Sequence, residues 1–498
     1  MSFDPETIGA LSSLRILLLN PPFHPRFSRA QRSPAVTKSG TLYYPIWLAY
    51  AAGVLEDAGA QVRLVDAPAA GQTVEDVRAV VDAWRPRLLV LDTSTPSFAS
   101  DMDVLAALKA AQPDMYAVAI GPHVSALPAE ALAGAPALDA VARREAEYTL
   151  RDLALALVEG RPPADIAGLS YRAAGAIVHN PDRPYIEDLD ALPFVSRVYK
   201  RHLRVEDYFY AITPHPVVTI MTGRGCPHRC TYCVFPQTLQ GRRYRYRSPA
   251  NVVAEFRYIA AQLPQARHVF IEDDTLTVDR RRCQELAHLL IEARTGLTFT
   301  ANSRADVDYE TLAQLRAAGC RMLCVGFESG DEGVLRNMHK GISVAQMRQF
   351  MRDARRAGIL VHGCFMAGNP GETPATLAAT LRLAKELNPD SAQFFPLMVY
   401  PGTEAYAWAD SQGYLSTRDY SQWLTPEGLH NCVLELPGLS SRELVAWCDE
   451  ARRSFYLRPR YLWAKGRQAL TRPAELKRIA MAARRFFPFL FRGTPRAK

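Results

Sequence analysis

The stretch GRGCPHRCTYCVFP, residues 223–236, places Cys226, Cys230 and Cys233 in a C-x3-C-x2-C pattern. Three thiolates on one tight loop can each hold one iron of a cubane, and the iron left without a Cys keeps an open position for a small ligand. Zinc fits this set less well, because structural zinc takes four ligands and catalytic zinc usually recruits His or a carboxylate at a typical spacing. His228 lies inside the loop, where it is expected to point away from a site formed by its close neighbours. The Gly-Arg-Gly before Cys226 is no phosphate loop, since no Lys-Ser/Thr follows it. The other six cysteines, Cys283, Cys320, Cys324, Cys364, Cys432 and Cys448, are expected to be small buried apolar side chains.

Such a loop needs a scaffold, and the sequence supplies two alternating regions. Up to about residue 160, short apolar runs (15–20, 62–66, 88–92, 116–120) alternate with helical stretches (46–57, 74–84, 102–111), which predicts an open parallel sheet. Ligands of such sheets sit beyond the carboxyl ends of the strands. Here those ends read Asn20-Pro21-Pro22, Asp66-Ala67-Pro68, Thr93-Ser94-Thr95-Pro96 and Gly121-Pro122-His123. These tips suit a ligand crevice, and they also suit plain turn chemistry. A second alternation has strands near 217–222, 269–271, 298–300, 323–327, 360–366 and 392–397, which implies a parallel barrel or part of one with its site at the strand carboxyl ends. The expected boundaries are a first domain at 13–160, a proline-rich packed linker at 161–215, the barrel at 216–437 and a helical region at 438–498.

Apolar content of 48% and charge of 22% exclude a disordered chain and a polytopic membrane protein. Nine cysteines in 498 residues are too sparse for a disulfide scaffold, and the acid-bearing start lacks the form of a signal peptide. A reducing, cytoplasmic setting is therefore expected. The net charge is +8, yet the 41 residues from Arg458 hold 12 Lys or Arg against the single acid Glu475. The preceding body is thus slightly acidic, at −3, which argues against a nucleic-acid partner.

The cysteine loop, with Tyr232 just before the third Cys, resembles the signature of the radical S-adenosylmethionine superfamily. The resemblance implies a 4Fe-4S cluster, S-adenosylmethionine chelating the open iron, and a 5′-deoxyadenosyl radical that takes hydrogen from unactivated carbon. It also implies a partial (β/α)6 barrel and a reductase or flavodoxin/ferredoxin-type electron donor. Contacts to S-adenosylmethionine are expected from Tyr232, from Asp273 and Asp274 in IEDDTLT, from Asn302 and Arg304 in ANSRADV, from Glu328 and Lys340, and from Gly368 in AGNPGET. Glu328 is expected on the ribose hydroxyls and Lys340 on the methionine carboxylate. YPGT, residues 400–403, resembles the loop near the adenine.

An open sheet ahead of a radical barrel resembles the cobalamin-binding members of that superfamily, with the corrinoid between sheet and barrel. The implied cobalamin contacts are Asn20, Pro21, Thr93, Ser94, Thr95 and Gly121. No D-x-H-x-x-G motif is present, so no protein histidine is expected on cobalt. Arg144 in VARREAEYTL stands where relatives often carry a glycine. The runs TSTPSFASD, APALDAVAR, EGRPPADIAGLSYR and HNPDRPYIEDLDALPF narrow the likeness to the hopanoid-biosynthesis-associated radical enzymes of the J type. That likeness implies contraction of a hopanoid-linked glucosamine to a cyclitol ether, and close relatives instead transfer methyl groups to unactivated carbon. In the tail, Arg484, Arg485 and Arg492 interleave with Phe486, Phe487, Phe489, Leu490 and Phe491. Two readings fit: peripheral attachment to the inner membrane face beside a lipid substrate, or a helix capping the barrel.

Overall fold

The structure, a computed structural model, describes residues 9–471 together with 490, 491 and 494. Strands β1 (Arg15–Asn20), β2 (Gln61–Asp66), β3 (Leu88–Asp92), β4 (Tyr116–Ile120) and β5 (Ala140–Ala142) build a parallel sheet. Both faces of a parallel sheet are covered by crossover helices, so its central strands read as unbroken apolar runs. LLVLD of β3 is accordingly buried at every position. The strand order β2-β1-β3-β4-β5 reverses direction between β1 and β3, which opens a crevice beyond Asn20 and Asp92.

The sheet does not end where the sequence reading placed the domain boundary. Residues assigned to the packed linker extend the sheet with β6 (Leu169–Ala173), antiparallel to β5, and β7 (Ala176–His179), antiparallel to β6. Ala174 and Gly175 join them in a two-residue turn with φ of 48° and 81°, the handedness that suits a tight hairpin. The strands are too short for a clear alternation of polar and apolar residues. That is why periodicity missed them.

The second sheet comprises β8 (Val217–Ile220), β11 (His268–Ile271), β12 (Thr298–Ser303), β13 (Cys320–Glu328), β14 (Leu360–Ala367) and β15 (Ser391–Pro396). All neighbours are parallel in the order β15-β14-β13-β12-β11-β8, so the six expected strands form a barrel left open between β8 and β15. Helices Pro249–Gln262, Arg280–Ala293, Tyr309–Ala317, Val344–Ala357 and Pro374–Leu387 are each started by Ser, Asp or Thr accepting a backbone N–H from the first turn. Those caps fix where each loop at the strand carboxyl ends stops. A small ribbon, β9 (Gly223–Arg224) against β10 (Arg245–Tyr246), clasps the cysteine loop at its base.

Residues 31–43 of the first domain cross to the open side of the barrel. Ser33 Oγ lies 3.1 Å from Tyr400 Oη and 2.9 Å from His430 Nε2, while Tyr44 Oη donates to Val217 O at 2.8 Å. Ser33 in the segment and Tyr44 just after it therefore tie the loop after the last strand and the first strand to the same stretch of chain. Helix Ser441–Tyr456 packs on β15, with Arg452 Nη1 on Phe394 O at 3.0 Å, and helix Pro459–Thr471 follows it. Among the described residues no helix is long and apolar enough to cross a membrane.

Candidate active site

A cavity of about 650 Å³ occupies the barrel. Cys226, Cys230 and Cys233 line one end, and the alternating residues Met322, Cys324, Gly326 and Glu328 of β13 line its wall, as a strand's period of two requires. The cysteine loop is rigid by construction. Gly225 has φ +81°, and a Cβ there would lie 2.3 Å from Arg243 O, so only glycine lets the loop fold back on itself. Arg224 and Arg245, which pair across the ribbon, reach into the first domain. Arg224 meets Glu147 at 2.7 Å and Arg245 meets Glu145 at 2.8 Å, all four side chains almost fully buried.

No three His, Cys, Asp or Glu side chains among the described residues converge tightly enough to ligate one ion. Three cysteines spread around one cavity suit a cubane, in which each thiolate takes a different iron. Burial, with Asp274 nearby, raises the Cys226 thiol to about 11, and burial raises Cys233 well above the usual thiol range. Such thiols ionise when a metal holds them. His228, expected to point away, borders the same cavity, and burial lowers its pKa to about 4.

The expected S-adenosylmethionine residues separate into two groups. Tyr232, Asp274, Asn302, Arg304, Glu328 and Lys340 line the cavity. Glu328 Oε1 accepts from Lys340 Nζ at 3.0 Å and from Tyr232 Oη at 3.0 Å, whereas its buried Oε2 has no partner. Its backbone sits at φ +66°, a left-handed conformation that costs a non-glycine residue about 1 kcal/mol or more and persists where surroundings enforce it. A Cβ on Gly326 would come within 2.1 Å of Glu328 Oε1 and 2.8 Å of Lys340 Nζ, so this glycine makes room for the pair. An unpartnered carboxylate oxygen, which accepts, beside a buried lysine, which donates, fits a ribose diol and a carboxylate.

Asp273 and Gly368 stand elsewhere. Asp273 accepts from Thr222 N and Thr222 Oγ1, both at 2.6 Å, and its side chain is spent on holding β8 to β11. Gly368 does not line the cavity; its N–H donates to Glu372 Oε2 at 2.6 Å and shapes the loop after β14. Of the three adjacent acids 272–274, Glu272 and Asp274 face the cavity, each with one buried oxygen unpartnered. Between them lies a residue that motif reading did not single out. Arg32, from the first domain, donates to Glu272, to Asp273 O at 3.0 Å and to Asp274 Oδ1 at 3.3 Å. Three of the six cysteines read as buried apolar fillers also depart from expectation, since Cys324, Cys364 and Cys448 line the cavity. For Cys324 and Cys364, positions on strands of period two carried that signal.

At the crevice of the first domain the expected polar contacts are largely committed to one another. Asn20 Nδ2 donates to Asp66 at 2.7 Å, Arg29 donates to Asn20 Oδ1 and to Pro21 O at 2.7 and 2.8 Å, and Thr93 Oγ1 donates to Asp101 at 2.7 Å. Ser94 Oγ pairs with Ser97 Oγ at 2.8 Å, and Thr95 begins the short turn Thr95–Ser97. These side chains set the loop shapes. Groups left without partners in buried positions are Trp47 Nε1, His123 Nδ1 and both Asp92 oxygens, with burial lifting Asp92 to about 7. Gly121 has φ +123°, and a Cβ there would meet Thr93 O at 2.3 Å. A glycine tip beside unpaired polar atoms fits a large polar-edged group such as a corrinoid. Arg144 has φ +62°, a conformation that glycine adopts freely and that a non-glycine residue rarely takes.

Comparison with known proteins agrees with both halves. Residues 220–384 match the radical SAM superfamily and residues 32–154 match the B12 binding domain. The chain is 30% identical over 451 residues, 90% of its length and 94% of the relative's, to "Uncharacterized methyltransferase PH0819" of Pyrococcus horikoshii. It is 28% identical over 79% of its length, and 69% of the relative's, to the anaerobic magnesium-protoporphyrin IX monomethyl ester cyclase of Rubrivivax gelatinosus. Its fold is that of the radical S-adenosylmethionine methyltransferase TsrM from Kitasatospora setae with cobalamin and a 4Fe-4S cluster bound, with TM-score 0.69 and 19% identity over 88% of this chain and 89% of that one.

Proposed function

From the premise that this chain belongs to the cobalamin-dependent radical S-adenosylmethionine enzymes, we propose that it rearranges the carbon skeleton of a lipid-linked amino sugar, contracting hopanoid-bound glucosamine to the cyclopentane of a cyclitol ether. When bound, the cluster, S-adenosylmethionine and cobalamin supply radical chemistry at unactivated carbon. Around them the chain's own groups hold and exclude: Glu328, Lys340 and Tyr232 form one hydrogen-bonded set, Arg32 neutralises Glu272 and Asp274, and residues 31–43 keep bulk water from the open side of the barrel.

The observation that carries the lipid reading is the far end of the cavity. From the cysteine loop it continues to Tyr461, Leu462, Lys465 and Leu490. On helix Pro459–Thr471 at this end, Leu462 is 54%, Trp463 68% and Leu470 86% exposed. Arg458, Arg460, Lys465 and Arg467 stand on the same stretch, which holds no acid. Apolar residues with interleaved cations suit the interface of an anionic bilayer. A sugar would reach the cysteine end while its lipid trailed toward this rim. The aromatic tail residues Phe486, Phe487 and Phe489, with Arg484, Arg485 and Arg492, lie outside the described residues. The full chain is expected to float with vesicles containing anionic phospholipid, and Trp463→Glu with Leu470→Glu is expected to reduce that fraction several-fold. Equal flotation of wild type and variant would remove the membrane part of the reading.

Ring contraction alters connectivity and not composition. Anaerobic turnover with an amino-sugar-bearing hopanoid should therefore give 5′-deoxyadenosine, methionine and a product of unchanged mass, without matching S-adenosylhomocysteine. Methyl transfer is the second reading, favoured by the methyltransferase name of the relative from Pyrococcus horikoshii. A product heavier by one CH2, with S-adenosylhomocysteine formed in step, would establish it in place of contraction.

A further inference from the structure

A contraction that releases 5′-deoxyadenosine leaves the rearranged substrate one hydrogen atom short, because the hydrogen taken at the start departs with the nucleoside. Some group must return a hydrogen atom to the product radical. An S–H bond is weaker than the C–H and O–H bonds of a sugar, so a protonated thiol in the cavity is a chemically suited donor.

Two strand thiols outside the cluster motif face that cavity, Cys364 on β14 and Cys324 on β13, and a third, Cys448, lines it from helix Ser441–Tyr456 near Arg452 and Lys38. Register places Cys364 beside Gly326 and Cys324 beside His362. Because the register shifts after Gly326, Glu328 pairs with Phe365, so Cys364 stands one residue, about 3 Å along the strand, before the partner of Glu328, and Cys324 lies one inward-facing position below Gly326. Neither thiol makes a hydrogen bond among the described residues, whereas Cys283 and Cys320, on the same barrel, donate to the backbone carbonyls of Leu276 and Met322. The charges that act on Cys364 are those of Glu328, Lys340 and Arg32, whereas Cys324 is acted on by Glu272 and Arg32, away from Glu328 and Lys340, and packs toward Tyr210 and Phe270. Burial lifts the Cys364 thiol to about 12, so it remains S–H at neutral pH.

Resting on the contraction reading, we propose that Cys364 returns the hydrogen atom to the product radical. The S–H bond of Cys364 breaks and the product gains an O–H or C–H bond, leaving a thiyl radical on Sγ. One electron from the donor that also reduces the cluster, with one proton from solvent, restores the thiol. Hydrogen atom, electron and proton then balance over the cycle.

The test uses anaerobic holoenzyme with the amino-sugar hopanoid and the variants Cys364→Ser, Cys364→Ala and Cys324→Ser. Cys364→Ser keeps the volume, but its O–H bond is too strong to donate. Both Cys364 variants should keep wild-type iron content and S-adenosylmethionine affinity and still form 5′-deoxyadenosine. Their isomerised product should fall at least tenfold per nucleoside released, and freeze-quenched samples should show an organic radical signal stronger than in wild type. Cys324→Ser should keep the wild-type ratio. An isomeric product formed at the wild-type ratio by Cys364→Ser overturns the donor assignment and leaves contraction standing. Loss of 5′-deoxyadenosine together with product in both Cys364 variants shows a structural residue and also overturns it. A methylated wild-type product overturns contraction itself, whatever the variants do.

Discussion

Alanine at Cys226, Cys230 and Cys233 together is expected to take anaerobically reconstituted protein from about four irons per chain to none, and with them all 5′-deoxyadenosine formation. The three thiols have no substitutes on their loop, where His228 is the nearest other ligand type. The fold should survive the change. The loop is held at its base by the β9–β10 ribbon and by Arg224 on Glu147 and Arg245 on Glu145, none of which involves a thiol. Iron and sulfide analysis with the visible absorption of the cluster would decide the matter. A full cubane retained in the triple variant would require ligands from elsewhere in the cavity and would sink the assignment. Cys324 and Cys364 are the thiols to suspect in that event, and a strand backbone gives them little freedom to regroup.

The second large effect concerns Glu328. Its replacement by Ala removes the one acceptor in the cavity that is both paired with Lys340 and left with a free oxygen, and strands the lysine in a buried site. Removing a charged hydrogen-bonding partner from a buried pair costs about 2–3 kcal/mol or more, so S-adenosylmethionine should bind about 30- to 150-fold more weakly. Iron content should be unchanged, since Glu328 is no part of the cysteine loop. Glu328→Gln keeps an acceptor oxygen and the steric fit, and a smaller loss is expected. Equilibrium binding to the anaerobic holo variants measures both. Unchanged affinity in Glu328→Ala would mean that the ribose contact lies elsewhere.

Strand positions were legible wherever a parallel sheet forced long apolar runs, as in RILLLN and CRMLCVGFE, whose bounds the structure widens by a few residues at most. Local motifs marked Tyr232, Glu328 and Lys340 because the spacing between a strand end and the following helix is short and fixed by caps. Contacts across long separations were not legible. Arg32 lies 240 residues from Glu272, and Glu145 lies 100 residues from Arg245; no local pattern announces either pair. Neighbouring acids were also hard to tell apart. Glu272, Asp273 and Asp274 are adjacent in sequence, and only the direction of each side chain shows that the middle one serves Thr222 while its neighbours face the cavity.

The segment 31–43 also bears on how the chain is made. Translation runs from the amino end, so Ser33 leaves the ribosome long before its partners Tyr400 and His430 exist. At 5–20 residues per second, the interval is about 20 to 80 s. Through that time the first sheet can fold while Ser33 and Val36 lack their late partners, and the barrel emerges with one side unfinished. The last docking event in biogenesis is then the return of an early segment to a late domain. Low temperature, slow translation or loss of a holding chaperone should harm soluble yield through this step before any cofactor is inserted. Moving residues 31–43 to a separate chain, or expressing the barrel alone, would leave its lumen open to aggregation.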